Sequence, residues 1–182
     1  MKIIFLITFL LISTIQADIK TSLYNLYQDK QYEKACKEGL KVFQKNRKDE
    51  EFISLYAFSC LKADYIDRLA IPISILKNSE EARSNAAYFS VILMQKKLLF
   101  HSLIDGYKLS TLKLPTTDHI LSIVYDLYTK ADHDRKRNYY TLKDINNDKV
   151  FYKLYIKNSN TNKKMVIEEY YDTIMTHRHI YW

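Results

Sequence analysis

Glycine and proline are almost missing, with two of each in 182 residues. β-Sandwiches and barrels use these residues in their tight turns, so the scarcity excludes a turn-rich all-β chain and favours helices joined by short polar loops. With only Gly39 and Gly106 present, a glycine-rich phosphate cradle is excluded as well. No nucleophile motif, no Cys-x-x-Cys and no paired-carboxylate signature occurs, so the expectation is a chain without catalytic activity and without a cofactor. After the first residues, no segment is apolar over the about 20 positions that a membrane-spanning helix needs.

What is present begins with an export signal. Lys2 supplies a positive start, Ile3 to Ile12 form an apolar stretch broken only by Thr8, and polar Ser13, Thr14 and Gln16 lead to small Ala17. Residues 1–17 therefore read as a cleavable signal peptide, giving a periplasmic or secreted protein that starts near Asp18. Bulky Ile15 departs from the small-x-small pattern, and retention of the segment would turn it into an anchor. About 165 residues remain, enough for one domain with an appendage.

The chain is 47% hydrophobic, so it can bury a sizeable core, and its formal net charge is +7. Acidic and basic residues interleave along most of its length, which is the pattern of solvated helix faces. An exported chain is not expected to meet nucleic acid. If the excess charge has a partner, anionic lipid or cell-wall polymer is the natural one. Cys36 and Cys60 are the two cysteines, and an even count in an oxidising compartment predicts a disulfide between them.

From Asp18 to about Lys130 the apolar spacing is helical. Ile19, Leu23, Leu26 and Tyr27 form the face of a first helix; Tyr32, Ala35, Cys36, Leu40 and Phe43 that of a second. Asp49 caps a third, apolar nearly all round, and residues 65–77 continue as helix around Pro72. Ser79 opens a fifth helix that Lys96 and Lys97 are expected to end; a short sixth runs from Leu98 to Asp105 and stops at Gly106. Thr117 is expected to cap a seventh with Ile120, Leu121, Val124, Leu127 and Tyr128 inward.

Tyr32-Glu33-Lys34-Ala35, with Phe43 farther along, resembles the second helix of a tetratricopeptide-type repeat, and Asp64-Tyr65 followed by Leu69-Ala70 resembles the same place one repeat later. Tyr32 and Tyr65 are 33 residues apart, against about 34 for that repeat. The Trp and Gly of the repeat's first helix have no counterpart. The resemblance implies a mainly α fold, a short solenoid of about seven helices stacked as antiparallel hairpins over residues 18–131, that binds other proteins through a concave face.

Character changes after Ala131. Residues 132–138 form a charged linker, and residues 132–182 as a whole read as a tyrosine-rich β segment. Val150, Tyr152, Leu154 and Ile156 alternate with Phe151, Lys153, Tyr155 and Lys157, which predicts a strand. Residues 164–178 fit either a strand or a helix. Asp144-x-Asn146-x-Asp148 resembles the opening of a calcium loop, but Lys149 and Tyr155 replace its Gly and bidentate Glu, so an Asn/Asp turn between strands is expected. His177 and His179 would share a side on a strand and diverge on a helix; without a third ligand in sequence, no metal is expected.

Tyrosine is the distinctive resource, 16 in all, and Tyr139, Tyr140, Tyr152, Tyr155, Tyr170 and Tyr171 are the candidate binding residues. The functional expectation is a scaffold contacting another envelope protein. The alternative is an envelope-associated protein that holds lipid or cell-wall polymer on a basic, tyrosine-rich surface.

Overall fold

The computed structural model describes residues 19–109, 111–131, 139–158 and 162–182. The expected signal peptide over residues 1–17 and the linker over 132–138 lie outside the described residues. The chain divides into two compact units, Met1–Ala86 and Ala87–Trp182. Among the described residues the molecule is mostly helical, with six α-helices and a C-terminal four-stranded antiparallel sheet.

The first unit holds α1 (residues 19–28), α2 (Tyr32–Val42), α3 (Glu50–Lys62), α4 (Ala70–Ile75) and the start of α5 (Glu80–Asp105), with 3-10 turns at Phe43–Asn46 and Ile66–Leu69. Asp49 caps α3 as expected, its Oδ1 accepting from the Phe52 amide at 3.1 Å. α3 buries Phe52, Ile53, Tyr56, Ala57, Cys60 and Leu61, the densest part of this core. Its contact with α2 is close because Gly39 has no side chain: a Cβ there would lie 2.7 Å from the Tyr56 ring. Cys36 and Cys60 are both fully buried at this contact and form the expected disulfide, with Cα atoms 4.7 Å apart.

The two helical hairpins of this unit end their first helices alike. Lys30 after α1 and Asp64 after α3 both take left-handed backbone, with φ of 59° and 62°. The amides around them bond back in the same pattern, Lys30 to Tyr27 and Gln31 to Leu26 in one hairpin, Asp64 to Leu61 and Tyr65 to Cys60 in the other. This is a Schellman-type close, which satisfies the last carbonyls of the helix and turns the chain back. The Tyr65 hydroxyl then donates to Glu33 at 2.8 Å, tying the start of the second hairpin's return to α2.

Two expectations about the helices change. The separate helix over 98–105 does not exist: α5 runs unbroken from Glu80 to Asp105, so seven expected helices become six. Lys96 and Lys97 are good helix formers, and no Gly, Pro, Ser, Thr, Asn or Asp lies between Val91 and His101. Gly106 does end it, with φ of 70° and its amide donating to the Ser102 carbonyl. The cap of α6 (Ile120–Lys130) is His119, whose Nδ1 accepts from the Leu121 amide at 3.2 Å; Thr117 lies two residues earlier and its hydroxyl accepts from the His119 amide.

In the second unit α6 buries Leu121, Val124, Tyr125 and Tyr128, with Leu127 half-buried. The sheet follows: β1 (Tyr139–Lys143), β2 (Val150–Asn158), β3 (Lys163–Tyr171) and β4 (Ile174–Tyr181), paired in sequence order. The ambiguous stretch over 164–178 is thus two strands of a hairpin that turns at left-handed Asp172. α6 ends at Lys130 and β1 begins at Tyr139.

Strand parity separates the two faces of the sheet. Leu142, Tyr152, Leu154, Met165, Ile167 and Tyr181 point one way and are buried. Tyr140 joins that face and meets Tyr128 of α6 edge-on, ring centroids 5.1 Å apart.

Candidate functional site

Two surfaces collect functional side chains, one in each unit. The first is an open groove of about 970 Å³ in the helical unit. Lys20 and Tyr24 of α1, Leu55 and Phe58 of α3, and Ala82 and Asn85 of α5 line it; α2 and α4 contribute nothing. The first helices of the two hairpins, α1 and α3, face the groove with the start of α5, while their second helices, α2 and α4, do not line it. Tyr24 is 53% exposed, and Leu55 and Phe58 are half-buried on the one side of α3 that the core leaves open.

The polar rim of this groove is organised by carboxylates. Lys20 bridges Asp49 at 2.9 Å and Glu51 at 2.8 Å, fastening α1 to the start of α3. Glu50 receives the backbone amides of Asn78, Lys77 and Ser79 at 2.8 to 3.0 Å, which holds its carboxyl at about 2. Three amides converging on one carboxylate fix the loop that leads into α5. Asn85 donates to the Ser54 hydroxyl at 3.1 Å and closes the groove floor. Nothing in the sequence singles out Glu50, since its partners are backbone groups 27 to 29 residues away.

The second surface is the face of the sheet opposite its core. Cross-strand rows run over it: Tyr139, Tyr155, Val166 and Ile180 form one, and Thr141, Lys153, Glu168 and Arg178 the next. Glu168 is 5% exposed and carries a dense network. It accepts from the Tyr155 hydroxyl at 3.0 Å, the Tyr170 hydroxyl at 2.9 Å and Arg178 Nε at 2.9 Å. Burial pushes its carboxyl up, but the two phenols and the guanidinium together outweigh that and leave it below the usual carboxylate range. The ring of Tyr170 stacks on Phe151 with centroids 4.7 Å apart, and the Lys153 ammonium lies over it at 4.6 Å.

The six tyrosines singled out from sequence do not form one surface. Tyr139, Tyr155 and Tyr170 share the open face. Tyr140 and Tyr152 point to the buried face, where burial raises the Tyr152 phenol. Tyr171 sits beside the β3–β4 turn, 46% exposed, with the Lys149 ammonium 5.9 Å from its ring centre. Composition flags all six; only register tells them apart.

His177 and His179 share one side of β4, with ring centroids 4.4 Å apart. His179 Nε2 lies 2.9 Å from Glu169 Oε1, and this hydrogen bond, reinforced by the charges of His179, His177 and His119, lowers the Glu169 carboxyl. The Asp144-x-Asn146-x-Asp148 stretch is a turn between β1 and β2, in which Asp144 Oδ1 accepts from the amides of Asn146 and Asn147. No family model, curated protein or solved structure matches the chain.

Proposed function

We propose that the chain is an exported, non-catalytic scaffold that takes an extended segment of another envelope protein into the groove formed by α1, α3 and α5. The observation that carries this reading is the alternation of lining helices. In tetratricopeptide-like solenoids, the family that Tyr32–Ala35 and Asp64–Ala70 resemble, first helices line the binding surface, as α1 and α3 do here beside the start of α5. The repeated left-handed closes at Lys30 and Asp64, 34 residues apart, support the same reading, since that repeat is about 34 residues long.

The rim favours binding over chemistry: Asp49, Glu50 and Glu51 are committed to a helix cap, backbone amides and Lys20. Tyr24, Leu55 and Phe58 supply an apolar strip with one hydroxyl, which suits an extended segment bearing small apolar side chains. The buried disulfide fits an oxidising compartment.

Affinity capture from envelope extracts tests this, comparing the native chain with a Tyr24→Lys/Leu55→Lys variant. A protein retained by the native chain and lost from a folded variant is the expected result. Equal retention by both would contradict the groove.

A further inference from the structure

The acidic turn residues of the sheet and its cross-strand lysine pair lie at opposite ends. Asp144, Asp148 and Asp172 cluster at the two turns of one end, where the Asp172 amide donates to the Lys149 carbonyl. Lys157, Lys163 and Lys164 gather at the other end. There Lys157 and Lys164 are direct partners across β2 and β3, on the open face. Like charges facing each other across a ladder destabilise it. Among the described residues no carboxylate pairs with either ammonium, or with Lys143, Lys153 or Lys163. The one acid on this face, Glu168, already serves Arg178 at 2.8 Å.

Next to this basic row the face is apolar. Tyr139 is 55% exposed and Ile180 37%, with half-buried Tyr155 and buried Val166 between them. Trp182, 59% exposed, follows β4, with the Lys164 ammonium 5.0 Å from its ring centre. Lysines beside tryptophan, tyrosine and an exposed aliphatic residue match the layers of a bilayer surface: phosphate outside, acyl chain beneath. A soluble polyanion would use the lysines but leave Ile180 and Trp182 in water. Stacking of bases or sugar rings on Tyr170 is also disfavoured, because Phe151 lies against its ring and the Lys153 ammonium lies over it.

We propose that this end of the sheet docks on an anionic lipid surface, with Lys157 and Lys164 meeting the headgroup phosphates and Trp182, Tyr139 and Ile180 entering the interface. The site lies wholly in the second unit and is independent of the groove, so either reading can fail without the other.

Trp182 is the sole tryptophan and therefore reports its own burial. The native chain is titrated with phosphatidylcholine vesicles, with vesicles containing phosphatidylglycerol, and with polyphosphate, following tryptophan emission. A blue shift with the anionic vesicles alone, weakening as salt rises, is expected. Each lysine contributes about 1 kcal/mol near an anionic surface, so Lys157→Gln/Lys164→Gln should weaken vesicle binding roughly 25-fold. That variant relieves a repulsion and should unfold at the same or a higher urea concentration, which separates binding from folding. Lys34→Gln/Lys62→Gln, with the same charge loss in the first unit, should leave binding within about twofold. Equal binding to uncharged vesicles, an unchanged affinity in the Lys157/Lys164 variant, or a blue shift with polyphosphate matching that with vesicles would each overturn the proposal.

Discussion

Lys30 and Asp64 occupy the same backbone conformation, φ 59° and 62°, at the same point of two successive helical hairpins. Side chains other than glycine, asparagine and aspartate strain this region, by about 1–2 kcal/mol for an ordinary residue. Lys30 is exposed and carries that strain. Lys30→Gly should therefore stabilise the protein by about 0.5–1 kcal/mol, and Lys30→Val should destabilise it. Urea denaturation of both variants reads the signs directly.

Gly39 shows the reverse case, a helical glycine kept for space. Alanine gains about 1 kcal/mol in helix propensity, but its Cβ would press on the buried Tyr56 ring. Overpacking of this kind costs about 1–3 kcal/mol, so Gly39→Ala should be destabilising on balance. Adding Tyr56→Leu should make the cost of the alanine disappear, and a double-mutant cycle in urea measures it.

The disulfide between Cys36 and Cys60 closes a loop across α2 and α3, at a sequence separation of 24. By the chain-entropy argument it contributes about 3.5 kcal/mol. Denatured, unreduced protein should show no reactive thiol, and reductant should release two and lower the unfolding midpoint accordingly. Two thiols without reductant would contradict the pairing.

Glu50 makes stability depend on acid. Its folded-state carboxyl titrates at about 2, against 4.5 for a free glutamate side chain, because three amides favour the charged form. A depressed carboxylate contributes fully above its unfolded value and loses that contribution as pH falls toward its folded value. Stability should thus decline between pH 4.5 and about 2 through this residue, and Glu50→Gln should flatten the decline while lowering stability at neutral pH. Urea midpoints at several pH values test both.

The Glu168 network predicts coupling between phenols. Tyr155→Phe and Tyr170→Phe each remove a hydrogen bond to a buried charge, costing about 1.5–3 kcal/mol. The two losses should not add, because both hydroxyls bind one carboxylate.

Much of this architecture was legible from residue spacing. Asp49, Ser79 and Gly106 marked helix ends through local chemistry that needs no tertiary partner, and the alternation over Val150–Lys157 marked a strand. The export context suggested the cysteine pairing. Lys96 misled because a charged residue reads as exposed, whereas it is 2% exposed within α5 with its ammonium on the Trp182 carbonyl. Tyr152 and Tyr155 look alike in sequence, yet one residue of strand parity buries the first and leaves the second on the open face. The groove was legible only as an implication of the repeat resemblance, since Tyr24 and Leu55 meet through hairpin stacking rather than spacing.

The most direct test of the scaffold reading is site-specific photo-crosslinking in the intact envelope. A photoreactive residue at Tyr24 or Leu55, on the groove, should capture one and the same protein, and at Lys34, on the outer face of α2, should not. Capture from Lys34 but not from Tyr24 or Leu55, or no protein adduct from either groove position, would contradict the account.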